Sequence, residues 1–183
     1  RTKLKIIIGL ILVLAIFSNL PWGKAFFKTL IILPEFIPNS PVKTINFLTA
    51  KPTIKEVTFY SGTRLVYADL WLPNSKGKFP AAVLDLGVDI DRKDERVQKL
   101  ANAFARSGIA VFAPNIPSLQ RRRVLAETRN DLISSFEYLQ SHPNIKSDKV
   151  GFIAFCASGG LVLLASEDPK IADRVKFIVS INP

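Results

Sequence analysis

The chain has 183 residues, 48% of them hydrophobic, with a mean hydropathy of +0.23 and a formal charge of +10. That length allows one domain with a sizeable core. Six basic residues against Glu35 place half of the charge, +5, in residues 1–50. No nucleic-acid-binding motif accompanies the charge, so it suits solubility and attraction to anionic membrane surfaces, and nucleic acid is not an expected partner. The single cysteine, Cys156, excludes an internal disulfide. Without CxxC, HExxH or paired histidines, a zinc site is not expected, nor any other metal or cofactor.

Arg1, Lys3 and Lys5 precede an apolar run from Ile6 to Phe17 that extends through Leu20. A basic flank before such a run is the pattern of a signal peptide or a signal anchor. The nearest small-residue site, Gly23-Lys24-Ala25, carries a charge. An uncleaved single-pass anchor with its basic end inside is therefore favoured, and the globular domain is expected outside the cytoplasm. Ala25 to Ile37 is a second apolar stretch, broken by Lys28 and Pro34. It suits the membrane interface, with Trp22, Phe26 and Phe27 as anchors to lipid. Residues 1–37 thus read as anchor and interfacial segment, 38–52 as a linker marked by Pro38, Pro41 and Pro52, and 53–183 as the globular domain. Arg1 stands where a Met would begin the chain, and Ile181-Asn182-Pro183 ends it at the close of an apolar run. Both ends are expected to be cuts through a longer protein.

Thr53 to Tyr60 and Thr63 to Leu72 are rich in β-branched and aromatic residues, and Ser61-Gly62 between them predicts a hairpin turn. Pro80 to Leu86 predicts a short buried strand. Asp91 to Ser107 predicts a helix with Val97, Leu100, Ala101 and Phe104 on one face, stopped by Gly108. Ile109 to Ala113 predicts a strand ended by Pro114. Ser118 to Arg123 opens a polar, basic segment. Leu125 to Gln140 predicts a helix stopped before Pro143. Val175 to Ile181 predicts a last strand. Strand and helix alternate from Pro80 onward, which predicts an α/β fold: a mostly parallel sheet with helices on both faces and the antiparallel hairpin at one edge.

Lys149 to Gly160, K-V-G-F-I-A-F-C-A-S-G-G, carries the chemistry. An apolar run, Val150 to Phe155, predicts a buried strand. It breaks into Ala157-Ser158-Gly159-Gly160, and Leu161 to Ala165 predicts a buried helix. Strand, tight small-residue turn and helix make the layout of a nucleophile elbow. Small neighbours let strand and helix cross closely around one reactive side chain. The frame Ala154-Phe155-Cys156-Ala157-Ser158-Gly159 makes Cys156 the nucleophile. The frame Cys156-Ala157-Ser158-Gly159-Gly160 makes it Ser158. Cys156 is preferred, because a strand starting at Lys149 then has an ordinary length.

This stretch resembles the α/β-hydrolase family, and within it the dienelactone hydrolases, whose elbow carries Cys in place of Ser. The usual small residues are Gly, where this chain has Ala154 and Ser158. The resemblance implies hydrolysis of a small-molecule ester or lactone through an acyl-enzyme. It implies oxyanion-hole N–H groups from Ala157 and from the loop after the strand Ala82–Leu86; aligned on Gly87, that second donor is Val88. A helix N-terminus favours the reactive thiolate. The family's catalytic Asp and His come late in the chain and are not among these residues. His142, the one histidine, precedes the elbow strand and is out of place as the base.

Asp85, inside an apolar strand, is expected at the site mouth or paired with an Arg. Arg121-Arg122-Arg123 is either a solvated helix start or a recognition point for an anionic group. The alternative to the hydrolase is a non-catalytic α/β-hydrolase-like binding or scaffold domain at the membrane.

Overall fold

The computed structural model describes residues 49–182 continuously and a few positions between residues 19 and 34. The chain divides into Arg1–Leu48 and Thr49–Pro183. The expected anchor, Ile6–Leu20, lies almost wholly outside the described residues. Among the described residues no helix is long and apolar enough to cross a membrane.

The second unit is built on a six-stranded sheet. Its elements in chain order are β1 (Thr53–Ser61), β2 (Arg64–Leu72), β3 (Phe79–Asp85), α1 (Glu95–Arg106), β4 (Ala110–Pro114), α2 (Pro117–Gln120), α3 (Ala126–Ser141), β5 (Ile145–Phe155), α4 (Ala157–Ser166) and β6 (Ile178–Ile181). The strands lie in the order β1-β2-β4-β3-β5-β6. β1, β2 and β4 pair antiparallel in turn, and β4, β3, β5 and β6 run parallel. The expected architecture is therefore present, with the hairpin at one edge.

Period-two alternation divides the core between the two faces. On one face Ala81, Val83, Phe112, Phe152 and Ala154 pack with Leu132 and Phe136 of α3 and Leu161 and Val162 of α4. On the other, Ala82, Leu84, Val111 and Ile153 pack with Val97 and Ala101 of α1. The apolar runs of β3, β4 and β5 are explained by this burial on both sides. Two buried carboxylates fasten the hairpin to the rest. Arg64 on β2 donates to Asp131 of α3 at 2.8 and 2.9 Å. Asp69 on β2, wholly buried, is held by Arg92 and Lys93 of the β3–α1 loop.

Several boundaries differ from the sequence reading, each for a local reason. Ser61 pairs with Arg64, so the hairpin turn is Gly62-Thr63, and Gly62 takes the left-handed conformation at φ +60°. α1 starts at Glu95 rather than Asp91. Asp94 caps it by accepting the Arg96 N–H at 2.8 Å, while Asp91 accepts from Lys93 N and Asn115 Nδ2. The polar segment at Ser118 begins with α2, whose Ser118 and Leu119 are buried; Arg121, Arg122 and Arg123 follow it on the surface. β5 begins at Ile145, paired with Phe79, rather than at Lys149. β6 begins at Ile178 because the Val175 N–H closes a turn onto Ile171 O.

Candidate active site

β5 ends at Phe155 and α4 begins at Ala157, so Cys156 alone makes the turn. Its backbone sits at φ 54°, ψ −142°, a strained conformation for a residue with a Cβ, of the kind that clusters at functional sites. Two hydrogen bonds fix it: Cys156 N donates to Ile181 O of β6 at 3.0 Å, and Gly159 N donates to Cys156 O at 2.8 Å. The thiol is exposed at the N-terminus of α4. Ser158, two residues on, is fully buried, as is Ala154 two residues before. Cys156 is open to solvent and Ser158 is not. The strand end that the sequence reading placed after Phe155 is where β5 ends.

The loop after β3 comes to the same point. Gly87 has φ +103°, and a Cβ built there lies 3.1 Å from Cys156 Cβ and 3.2 Å from Phe155 O. The glycine is required twice over, by its backbone conformation and by contact with the elbow. This contact sets Val88 beside the turn. Among the described residues, neither the Val88 N–H nor the Ala157 N–H has an acceptor. Two unpaired backbone donors on the segments that flank the nucleophile are the raw material of an oxyanion hole.

Asp85, the last residue of β3, is buried beneath this arrangement and not at its mouth, and among the described residues no arginine pairs with it. Its Oδ1 accepts the Gly87 N–H at 2.8 Å. Burial pushes its carboxyl up to about 6, opposed by the Gly87 N–H and then by the Ser158 hydroxyl that faces it. The hydroxyl acts through its dipole without hydrogen-bond geometry, for Asp85 Oδ2 and Ser158 Oγ are both buried without a partner.

The folded carboxyl thus titrates above its unfolded value of ~3.9. Its contribution to stability is present in full below that unfolded value and is lost as pH rises through about 6. Asp85→Asn removes the ionisation. The variant should gain stability relative to the parent as pH is raised from ~5 to ~8, read as the difference in urea midpoints. Other titrating groups are common to both proteins and cancel. A difference independent of pH across that range would show that Asp85 is already ionised in the fold at pH ~5, with no raised pKa.

His142 caps the C-terminal end of α3 and precedes β5. Burial, and then the charge of Lys55, hold its pKa below the usual histidine range. The eleven residues of β5 separate it from Cys156, a span on the order of 30 Å at ~3.3 Å per residue. It does not reach the elbow, as its place in the sequence predicts. Arg122 pairs with Asp89 at 2.6 Å, and Gln120 Nε2 donates to Ile90 O at 2.7 Å, so the arginine segment lies against the loop that carries Val88. Among the described residues no cluster of His, Cys, Asp or Glu has the makings of a metal site.

One participant escapes sequence reasoning. Ser180 of β6 pairs with Ala154, which pairs with Asp85, so the three stand in one row across the sheet. Ser180 Oγ is also buried without a partner. A serine in an Ile-Val-Ser-Ile strand carries no signal until β6 is placed beside β5.

No family model matches the chain. It is 25% identical over 128 residues to a Bradyrhizobium protein described as "Probable 2-oxo-3-(5-oxofuran-2-ylidene)propanoate lactonase", covering 63% of this chain and 51% of that one. The chain thus spans about half the length of this curated relative. Among solved structures, dienelactone hydrolase from Anabaena variabilis superposes with a TM-score of 0.61 at 19% identity, over 72% of this chain and 63% of that chain. Esterase Est22 gives 0.65 at 14% identity, over 89% of this chain and 52% of that chain. Strand order, elbow and likenesses agree: the chain has the α/β-hydrolase fold and is similar to the dienelactone hydrolases and related esterases.

Proposed function

We propose that this chain carries the nucleophile and the oxyanion hole of a dienelactone hydrolase-like enzyme that cleaves a small-molecule ester or lactone. The observation that carries the reading is the exposed, strained Cys156 at the start of α4, with Gly87 against it. In this reading Cys156 Sγ attacks the substrate carbonyl carbon. The carbonyl oxygen takes the negative charge and is met by the Val88 and Ala157 N–H groups. The intermediate collapses with loss of the alkoxide, or of the ring oxygen of a lactone, leaving a thioester on Cys156. Water then releases the acid and restores the thiol. Both proton transfers need a base, and the reading takes the base and its orienting acid from beyond residues 1–183. The exposed Arg121 and Arg123, next to the Val88 loop, would suit a substrate with an anionic group.

The complete protein, assayed against a panel of p-nitrophenyl esters and lactones, should turn over at least one of them saturably. Failure on the whole panel would favour the binding-domain reading, for which the distance of His142 from Cys156 speaks.

The proposal includes the membrane. The basic start and the run Ile6–Leu20 support a single-pass anchor with the hydrolase domain outside the cytoplasm. The full chain should sediment with membranes and resist alkaline carbonate extraction, and deletion of residues 1–20 should release most of it. Recovery of the undeleted chain in the soluble fraction at its original length would remove the anchor.

A further inference from the structure

Five buried side-chain atoms lack a hydrogen-bond partner among the described residues, and three of them, Asp85 Oδ2, Ser158 Oγ and Ser180 Oγ, belong to the region beneath the elbow. The buried carboxylates elsewhere, Asp69 and Asp131, are paired with Arg92 and Arg64. An unpartnered buried polar atom costs about 1–3 kcal/mol, so this concentration works against stability. Asp85, Ala154 and Ser180 stand in register on β3, β5 and β6 and share the face on which α4 packs. Ala154 offers only a methyl group between its neighbours. Ser158, in the first turn of α4, faces Asp85 from above.

We propose that Asp85 is a positioning residue for the oxyanion hole, tying the Gly87–Val88 peptide through Oδ1. The assignment rests on the hydrolase reading above. The Asp85 bond to Gly87 N is the tether. The next peptide along the chain presents the Val88 N–H. The other donor, Ala157 N–H, is one residue before Ser158. Asp85 therefore holds the loop donor, while the elbow's own backbone bonds hold the other. Gly87, at φ +103°, lies directly against Cys156. If the tether is cut, the Val88 donor drifts relative to the sulfur. A misplacement of ~1 Å in such a site lowers turnover by as much as roughly 100-fold. The donor acts on charge that develops in the transition state, so the loss falls on kcat and not on KM.

The experiment compares the complete protein with Asp85→Ala and Asp85→Asn on the best ester of the panel. Asp85→Ala should lower kcat by roughly 10- to 100-fold with KM little changed. Asp85→Asn should recover most of that loss, because the amide oxygen still accepts from Gly87 N–H. Alkylation of Cys156 by iodoacetamide should proceed alike in all three, since the elbow backbone is held by Ile181 O and Gly159 N and not by Asp85. If Asp85→Ala does not accumulate as folded protein, Asp85→Val fills the volume without an acceptor and takes its place. An unchanged kcat in Asp85→Ala, a loss confined to KM, or equal damage in Asp85→Asn would each overturn the assignment while leaving the hydrolase reading intact. A parent inactive on every ester overturns the hydrolase reading and this assignment with it.

Discussion

Cys156→Ala in the complete protein is expected to lower ester turnover by roughly 10⁴-fold or more, the scale seen when a covalent nucleophile is removed. Folding should be nearly unaffected. The thiol is exposed and sits at the end of the strand, so no core volume is lost. Alanine also has a Cβ, so the strain at φ 54° is the same in both proteins. Thiol labelling within residues 1–183 should vanish with turnover, because they hold no second cysteine. Cys156→Ser keeps the shape, but a hydroxyl depends on its base far more than a thiol does, so it should retain only weak activity. Ser158→Ala should keep turnover within roughly tenfold of the parent, since its fully buried hydroxyl has no path to substrate. The opposite pair of results, Ser158→Ala dead and Cys156→Ala active, would place the chemistry two residues further on.

Gly151→Ala is expected to produce a large loss of stability. A Cβ on Gly151 would lie 2.2 Å from Phe177 O and 2.7 Å from the Phe177 ring. The first of these is backbone, and it is not free to move. Phe177 O accepts the N–H of Phe152 at 3.0 Å, the bond that brings the chain onto β5 just before β6. Either that bond breaks or β5 shifts relative to β3, where Gly151 pairs with Ala82. Overpacking of a well-packed site costs about 1–3 kcal/mol, and immovable backbone places this site at about 3 kcal/mol or above. Gly160 on α4 is the control: nothing lies within 4 Å of its added Cβ. Gly160→Ala should stabilise by up to about 1 kcal/mol through helix propensity and the unfolded chain. Chemical unfolding of the full chain measures both. A Gly151→Ala protein as stable as the parent would mean that Phe177 does not pack against β5 in solution.

How much of this was legible beforehand depends on the range of the interaction. The hairpin, the three larger helices and the strands of the parallel sheet could be read because each is announced locally. Alternation, apolar runs and the stops at Gly108 and Pro143 act within a few residues. The errors were local competitions of the same kind. Asp91 resembled a helix start but spends its carboxylate on Lys93 N and Asn115, leaving Asp94 to cap α1. Ser61 looked like half of the turn but pairs with Arg64 across the hairpin.

The sequence by itself determined the α/β class, the elbow, and Cys156 as its preferred residue. Those follow from residue types along one strand, one turn and one helix. Tertiary structure decided the rest. It buried Ser158 and exposed Cys156, because α4 lays one side of its first turn on the sheet and leaves the end of β5 open. It placed Gly87 against the sulfur and turned Asp85 from an oddity in an apolar strand into the acceptor that holds Gly87. Those facts depend on which strands become neighbours. Strands β3 and β5 are separated in sequence by three helices and β4 yet pair directly. Hydrophobic pattern states that a strand is buried on both faces; it does not name the strand beside it, and here the chemistry lies between strands.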